Sequence, residues 1–183
     1  HEDLIRSLYD RMSEADRVTA AGQLIAAYLN LSKPVNVGEQ MVDGGLYDVK
    51  GNLHHLSEFK GKYILLDFWS QGCGPCLQSL PEMEEVAKLY KDQMEVVSIC
   101  SDTKESWLDF IERKGLTGKQ WNEFAKGRTG LAAVYQVKAI PYYVIISPEG
   151  EIVDMWKGYG PGSIKEKVQH WLTNDCITTK DNK

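Results

Sequence analysis

The segment Tyr63-Ile-Leu-Leu-Asp-Phe-Trp69 restricts the possible folds more than any other stretch of this chain. It has the length of a strand, one polar member and no apolar–polar alternation, the pattern of a strand covered on both faces. Such a strand needs helices above and below it, and the following sequence supplies them in alternation. Leu77, Leu80, Met83, Ala87 and Tyr90 fall on one helical stripe, Met94 to Cys100 reads as a second strand, and Lys104 to Lys114 as a helix carrying Trp107, Leu108 and Ile111. Gly115 to Thr129 reads as irregular, anchored by Trp121 and Phe124, and Leu131 to Tyr135 as a short helix. Pro141 to Ser147 and Glu151 to Trp156, joined by Pro148-Glu149-Gly150, predict an antiparallel hairpin, followed by a helix from about Gly162 to Leu172. Ahead of the central strand, extended segments around Leu46 to Val49 and Leu53 to Leu56 flank the turn Lys50-Gly51-Asn52. The expected fold class is α/β: a mixed sheet of four main strands with helices on both faces.

Apolar residues also recur at helical spacing from Leu4 to about Leu31, predicting one or two amphipathic helices that end at Lys33-Pro34. This divides the 183 residues into an N-terminal helical arm (1–36), either a structural arm or the tail of an upstream domain, an α/β domain (37–176) and a frayed tail (177–183). With Lys+Arg 21 against Asp+Glu 26, a net charge of -5 and no basic run longer than two residues, nucleic acid and anionic membrane are poor partners. No apolar run reaches the roughly 18 residues of a membrane span. The first thirty residues lack the apolar core of a signal peptide, and the start at His1 points to a processed form or a fragment.

The four cysteines are too few for a disulfide scaffold and too unevenly spaced for a four-thiolate zinc site. One pair is close: Cys73-Gly74-Pro75-Cys76, directly after the central strand and directly before a helix. Two thiols so spaced can close a small disulfide loop, and the unpaired N–H groups of a helix start favour a thiolate on the first. Cys73 is then the exposed nucleophile and Cys76, one turn inside, the resolving thiol, with Gly74 and Pro75 setting the turn. The competing readings are a structural disulfide or half a metal site. Cys100, Cys176, His54 and His55 offer no paired spacing to complete the latter, so no metal is expected. Cys100 reads as a small apolar residue, Cys176 as part of the tail, and His54-His55 as solvated beside a turn.

The stretch Asp67-Phe-Trp-Ser-Gln-Gly-Cys-Gly-Pro-Cys76 resembles the active-site signature of the thioredoxin superfamily. Lys60-Gly61-Lys62, Pro81, Ala139-Ile140-Pro141, Ser147-Pro148-Glu149-Gly150-Glu151-Ile152-Val153 and Gly158 make it similar, more narrowly, to the TlpA/ResA group of extracytoplasmic thiol–disulfide oxidoreductases, over about residues 37 to 173. The resemblance implies a thioredoxin-like three-layer fold, protein thiol or disulfide substrates, and no organic cofactor beyond the Cys73–Cys76 pair itself. It implies that Pro141 is a cis-proline which, with Ile140, shapes the substrate groove beside Cys73. It further implies that Asp67 is a buried acid exchanging a proton with Cys76 and that Pro81 kinks the helix; the tryptophans read as core or rim, with Trp69, near the motif, expected to line the site. Gly72 stands where thioredoxins commonly carry tryptophan, giving a smaller rim, and Ser79 stands where a ResA-type glutamate would. The Gly-Pro pair between the cysteines resembles reducing members of the superfamily. A periplasmic or membrane-tethered location and a membrane thiol electron donor follow by the same resemblance.

Two other classes are weighed. A thiol peroxidase of the peroxiredoxin kind needs Pro-x-x-x-Thr-x-x-Cys, which is missing before Cys73. A non-catalytic copper-handling or chaperone module like the Sco proteins spaces its cysteines by three residues, not two.

Overall fold

A computed structural model of the chain describes residues 2–32, 34–124 and 130–178. In chain order the elements are α1 (Glu2–Asp10), α2 (Glu14–Arg17), α3 (Ala20–Ser32), β1 (Leu46–Tyr47), β2 (Leu53–His54), a 3-10 turn (Leu56–Phe59) and β3 (Tyr63–Trp69). There follow α4 (Gly74–Leu89), β4 (Met94–Cys100), α5 (Lys104–Lys114), β5 (Lys119–Asn122), α6 (Leu131–Val134), β6 (Tyr142–Ile146), β7 (Ile152–Lys157) and α7 (Ser163–Thr178).

The strands form one mixed sheet in the order β2-β1-β5-β4-β3-β6-β7, with β3, β4 and β5 parallel and the outer pairings antiparallel. All seven residues of β3 are buried, as its apolar run requires. Because side chains alternate along a strand, Tyr63, Leu65, Asp67 and Trp69 point to one face, where Tyr63 and Leu65 meet Met83 and Val86 of α4 and Ile164 and Val168 of α7. Ile64, Leu66 and Phe68 point to the other, against Leu131, Val134 and Tyr135. At the C-terminal end of the parallel strands, α5 packs Trp107 and Phe110 onto Trp69 and Cys100. This is the expected layered α/β fold, with a wider sheet.

The sheet is wider because the segment expected to be irregular contains β5. Lys-Gln-Trp-Asn has no apolar run to betray a strand, but the backbone of Trp121 pairs with Ile99 and its buried ring stacks on Phe59. The first hairpin is shorter than its sequence suggested, since Leu56–Phe59 turns into a 3-10 coil. The N-terminal periodicity resolves into three helices, interrupted where Ser13 caps α2. The last helix runs six residues past Leu172, through residues 177 and 178 that the sequence assigned to a frayed tail; 179–183 lie outside the described residues.

Ahead of β1 the chain runs beside the last hairpin. Gly38 N–H donates to Ile152 O at 2.8 Å, Ile152 N–H to Glu39 O at 2.9 Å, and Met41 N–H to Gly150 O at 2.7 Å. Gly150 is needed there: its φ is +88°, and a Cβ would come within 3.3 Å of Gln40 Oε1.

Candidate active site

The parallel strands end together, and β3 hands the chain directly to α4. Cys73 is the N-cap of α4, with Pro75 inside the first turn where a missing N–H costs nothing. Cys76 N–H donates to Cys73 Sγ at 3.2 Å, and the two sulfurs are bonded in a disulfide with Cα atoms 5.2 Å apart. The pair is asymmetric: Cys73 is half-buried, whereas Cys76 is only 2% exposed. Gly72, Gly74 and Pro75 are exposed. A Cβ on Gly74 would meet nothing within 4 Å, and one on Gly72 only Ser70 Oγ at 3.9 Å, so the rim beside Cys73 is open.

The Ile140–Pro141 peptide bond is cis. Ile140 packs against the cluster holding both cysteines, and Pro141 O accepts from Gly158 N–H at 2.8 Å. Beside them is a groove of about 220 Å³ lined by Trp69, Cys100, Glu123 and Ile140. Trp69 is 1% exposed and stacks obliquely on Phe110, so it forms the floor of the site, not its rim.

Beneath α4, Asp67 is 1% exposed, and its Oδ1 has no hydrogen-bond partner among the described residues. Burial pushes its carboxyl up from 3.8 to about 7, partly offset by the neighbouring Ser98 hydroxyl. The α4 stripe facing the sheet also differs from the apolar one expected: Cys76, Ser79, Glu82, Met83 and Val86 are buried, while Pro81 is exposed. Ser79 does not replace a glutamate functionally, since its hydroxyl donates to Cys76 O at 2.8 Å. Glu82 caps α7, accepting from Lys165 N–H at 2.8 Å and from Gly162 N–H and the Tyr159 hydroxyl at 2.9 Å. Burial raises its pKa, but these donors outweigh burial and hold the carboxyl below its ordinary value.

Several residues beyond the motif complete the surroundings. Asp102 accepts from Gln71 N–H at 2.8 Å and from the Cys100 thiol at 3.3 Å, tying the approach to Cys73 to the end of β4. Cys100 is buried, and burial pushes its thiol pKa far up. Cys176 stands in the last turns of α7, and its side chain is outside those described. His54 is not simply solvated: it stacks on Trp121 with centroids 4.7 Å apart, between Glu58 at 3.1 Å and Asp48 at 3.4 Å. The Glu58 hydrogen bond raises its pKa. Among the described residues no cluster of three His, Cys, Asp or Glu could hold a metal, and no helix is long and apolar enough to cross a membrane.

A cysteine pair at the head of a helix, one member half-buried and one buried, with a buried acid beneath the same helix, is a site for exchanging disulfides. The thioredoxin-like family model matches residues 61–152, and the chain belongs to that family. It is similar to the thiol-disulfide oxidoreductase ResA of Halalkalibacterium halodurans, 31% identical over 137 residues, 74% of each chain. Among solved structures it is similar to the thioredoxin domain of a thiol-disulfide oxidoreductase of Bacteroides vulgatus, with 25% identity and a TM-score of 0.67 over 75% of this chain and 98% of that one. It also resembles the exposed lipoprotein thioredoxin of Streptococcus pneumoniae, with 28% identity and a TM-score of 0.60 over 70% of this chain and 98% of that one.

Proposed function

We propose that this thiol–disulfide oxidoreductase is a reductant of protein disulfides, working through Cys73 as nucleophile and Cys76 as resolving thiol. The observation that carries this assignment is the asymmetry of the pair: Cys73 heads α4 at the open rim, and Cys76 lies beneath it. In the dithiol form, the Cys73 thiolate attacks one sulfur of a substrate disulfide. The substrate S–S bond breaks, one substrate thiolate leaves, and a mixed disulfide forms on Cys73. Cys76 then gives its proton to the Asp67 carboxylate and attacks Cys73 Sγ. The mixed disulfide breaks, the second substrate thiolate leaves, and the Cys73–Cys76 bond forms. Two electrons have passed to the substrate, and a second thiol donor must return them.

Ile140 and Pro141 would hold the substrate strand. Because Pro141 O is already engaged by Gly158, pairing falls to the peptide groups of Ile140. Trp69 supports this groove from below, and Gly74 and Pro75 leave space above the reacting sulfur. No organic cofactor enters the scheme. The catalytic unit is 37–176, with 1–36 as an arm. The ResA relative and the exposed lipoprotein support an extracytoplasmic location, where a membrane thiol donor would reset the pair.

The test is insulin reduction with dithiothreitol. Wild type accelerates it, Cys73→Ala does not, and Cys76→Ser accumulates the mixed disulfide; equal rates for wild type and Cys73→Ala overturn the assignment. A potential well below the glutathione poise supports a reductant, and one near about −120 mV reverses the direction.

A further inference from the structure

On the proposed reading, the proton that Asp67 takes from Cys76 either returns to Cys76 when the pair is reset or leaves for solvent, and a carboxyl sealed under α4 at 1% exposure needs a route for the second course. The sheet register places a polar row beside it. Asp67 pairs with Ser98 on β4, and Ser98 pairs with Gln120 on β5. All three side chains point to the α4 face, because residues directly opposite in register share a face. In a sheet whose neighbouring positions on this face are Leu65 and Val96, such a row is chemically conspicuous.

The row ends in a cavity. An opening of about 240 Å³ lies between α4 and the β4–β5 edge, with Leu80 and Met83 as its apolar wall and Ser98 and Gln120 in its lining. Gln120 is 8% exposed, its amide N–H donates to Thr117 O at 3.1 Å, and its Oε1 is buried with no hydrogen-bond partner among the described residues. Ser98, 6% exposed, both neighbours the Asp67 carboxyl and lines the cavity. A hydroxyl can accept one proton while donating another, so it suits a handover. The cavity is large enough for several waters, and Ser98 and Gln120 give them polar partners.

We propose that Ser98 and the Gln120-lined cavity form the proton exit of Asp67, connecting it to solvent beside α4 without passing the substrate-covered face at Cys73. The proposal rests on the oxidoreductase reading and deepens it. In the step, protonated Asp67 donates to Ser98 Oγ while the Ser98 hydroxyl proton passes to water in the cavity. Asp67 is left as carboxylate and Ser98 neutral. Separate openings for substrate and proton let the base reset while the product still covers the cysteines. The titratable and charged groups around the route are Cys76 on α4, Cys100 on β4 and Tyr143 on β6, which is paired with Asp67, and at the mouth Glu84 and Lys88 of α4 and Lys119 of β5. Both Ser98 and Gln120 are positioning residues, since they touch neither substrate nor cysteine sulfur.

The experiment measures insulin reduction against pH from 5.5 to 9, in H₂O and D₂O, for wild type, Ser98→Ala, Ser98→Thr, Gln120→Leu and Asp67→Asn. Folding of each variant is checked by thermal melting. Ser98→Ala is expected to lower the high-pH plateau several-fold and enlarge the solvent isotope effect. Ser98→Thr, which keeps the hydroxyl, should restore both, and Gln120→Leu should lower the plateau in the same direction without shifting the profile midpoint. If Ser98→Ala does not fold, Gln120→Leu carries the test. A midpoint moved to higher pH with an undiminished plateau means that Ser98 only hydrogen-bonds Asp67, and this overturns the route. Wild-type plateaus in both Ser98→Ala and Gln120→Leu overturn it as well. Absence of insulin reduction by wild type overturns instead the function on which the proposal stands, so the two failures are distinct.

Discussion

Replacing Asp67 by asparagine removes an ionisable group from beneath α4 while nearly preserving its volume, which isolates what its charge costs the fold. The carboxyl is pushed up from 3.8 to about 7 by burial. A displacement of about three pH units is worth about 4 kcal/mol, at about 1.4 kcal/mol each. The folded state holds this proton between about pH 4 and pH 7, where the unfolded chain has released it. Stability therefore falls as pH rises through that window, and the whole penalty is present above pH 7. Asparagine carries no such penalty. At pH 4, where both side chains are neutral, the proteins should differ by no more than the roughly 1–3 kcal/mol of an unpaired amide. Between pH 4 and pH 8 the balance should move towards Asp67→Asn by up to about 4 kcal/mol. Urea unfolding of the oxidised proteins at both pH values, with unchanged m, reads this directly. A gap between variant and wild type that is the same at pH 4 and pH 8 would refute the reasoning. If Asp67 takes the proton of Cys76 as proposed, the same substitution should also slow disulfide exchange.

Three further outcomes are expected. Glu82→Ala strips the N-terminus of α7 of its cap and should cost about 2 kcal/mol, read as a lower melting temperature at neutral pH; below the carboxyl's depressed pKa the difference should shrink, because the capping contribution is lost as pH falls through it. Gly72→Trp should fold normally, given the open space at that position, and change KM for protein substrates more than kcat; a variant that cannot fold would show the rim to be tighter than its contacts indicate. In the native reduced protein at pH 8, iodoacetamide should label Cys73 and spare Cys100, whose thiol is buried and raised; peptide mapping that finds both labelled at equal rates contradicts this.

Much of the site was legible because its chemistry is local. Cys73 to Cys76 lies at a strand–helix junction that hydrophobic patterning alone locates, and Pro141 opens a hairpin marked by Pro148-Glu149-Gly150. What escaped was whatever depends on register between distant segments. Lys119–Asn122 alternates like a surface loop, and it becomes a strand because β4 offers an unpaired parallel edge and Trp121 a buried ring. Glu82 reads as one more charge on a charged helix until α7 arrives 80 residues later to be capped. Ser98 and Gln120 gain meaning only when two parallel pairings set them in line with Asp67. The one local clue was a serine inside the otherwise apolar end of β4. His54 reads as solvated for the same reason, since its stacking partner Trp121 belongs to β5.

The bonds between residues 38–41 and the start of β7 set an order of events during synthesis. Gly38, Glu39 and Met41 find their partners on Gly150 and Ile152, more than a hundred residues downstream. A chain made from its N-terminus emerges with α1 to α3 packed on one another, and α3 finds α6, and Val35 its partner Val134, only when residue 134 has left the ribosome. The last hairpin then closes the connector at residues 38–41, after the arm ahead of it already has its partners. A ribosome pause before α6 is made therefore leaves the N-terminal helices without the element they pack on, so the stretch ahead of residue 134 is where translation speed bears most directly on yield.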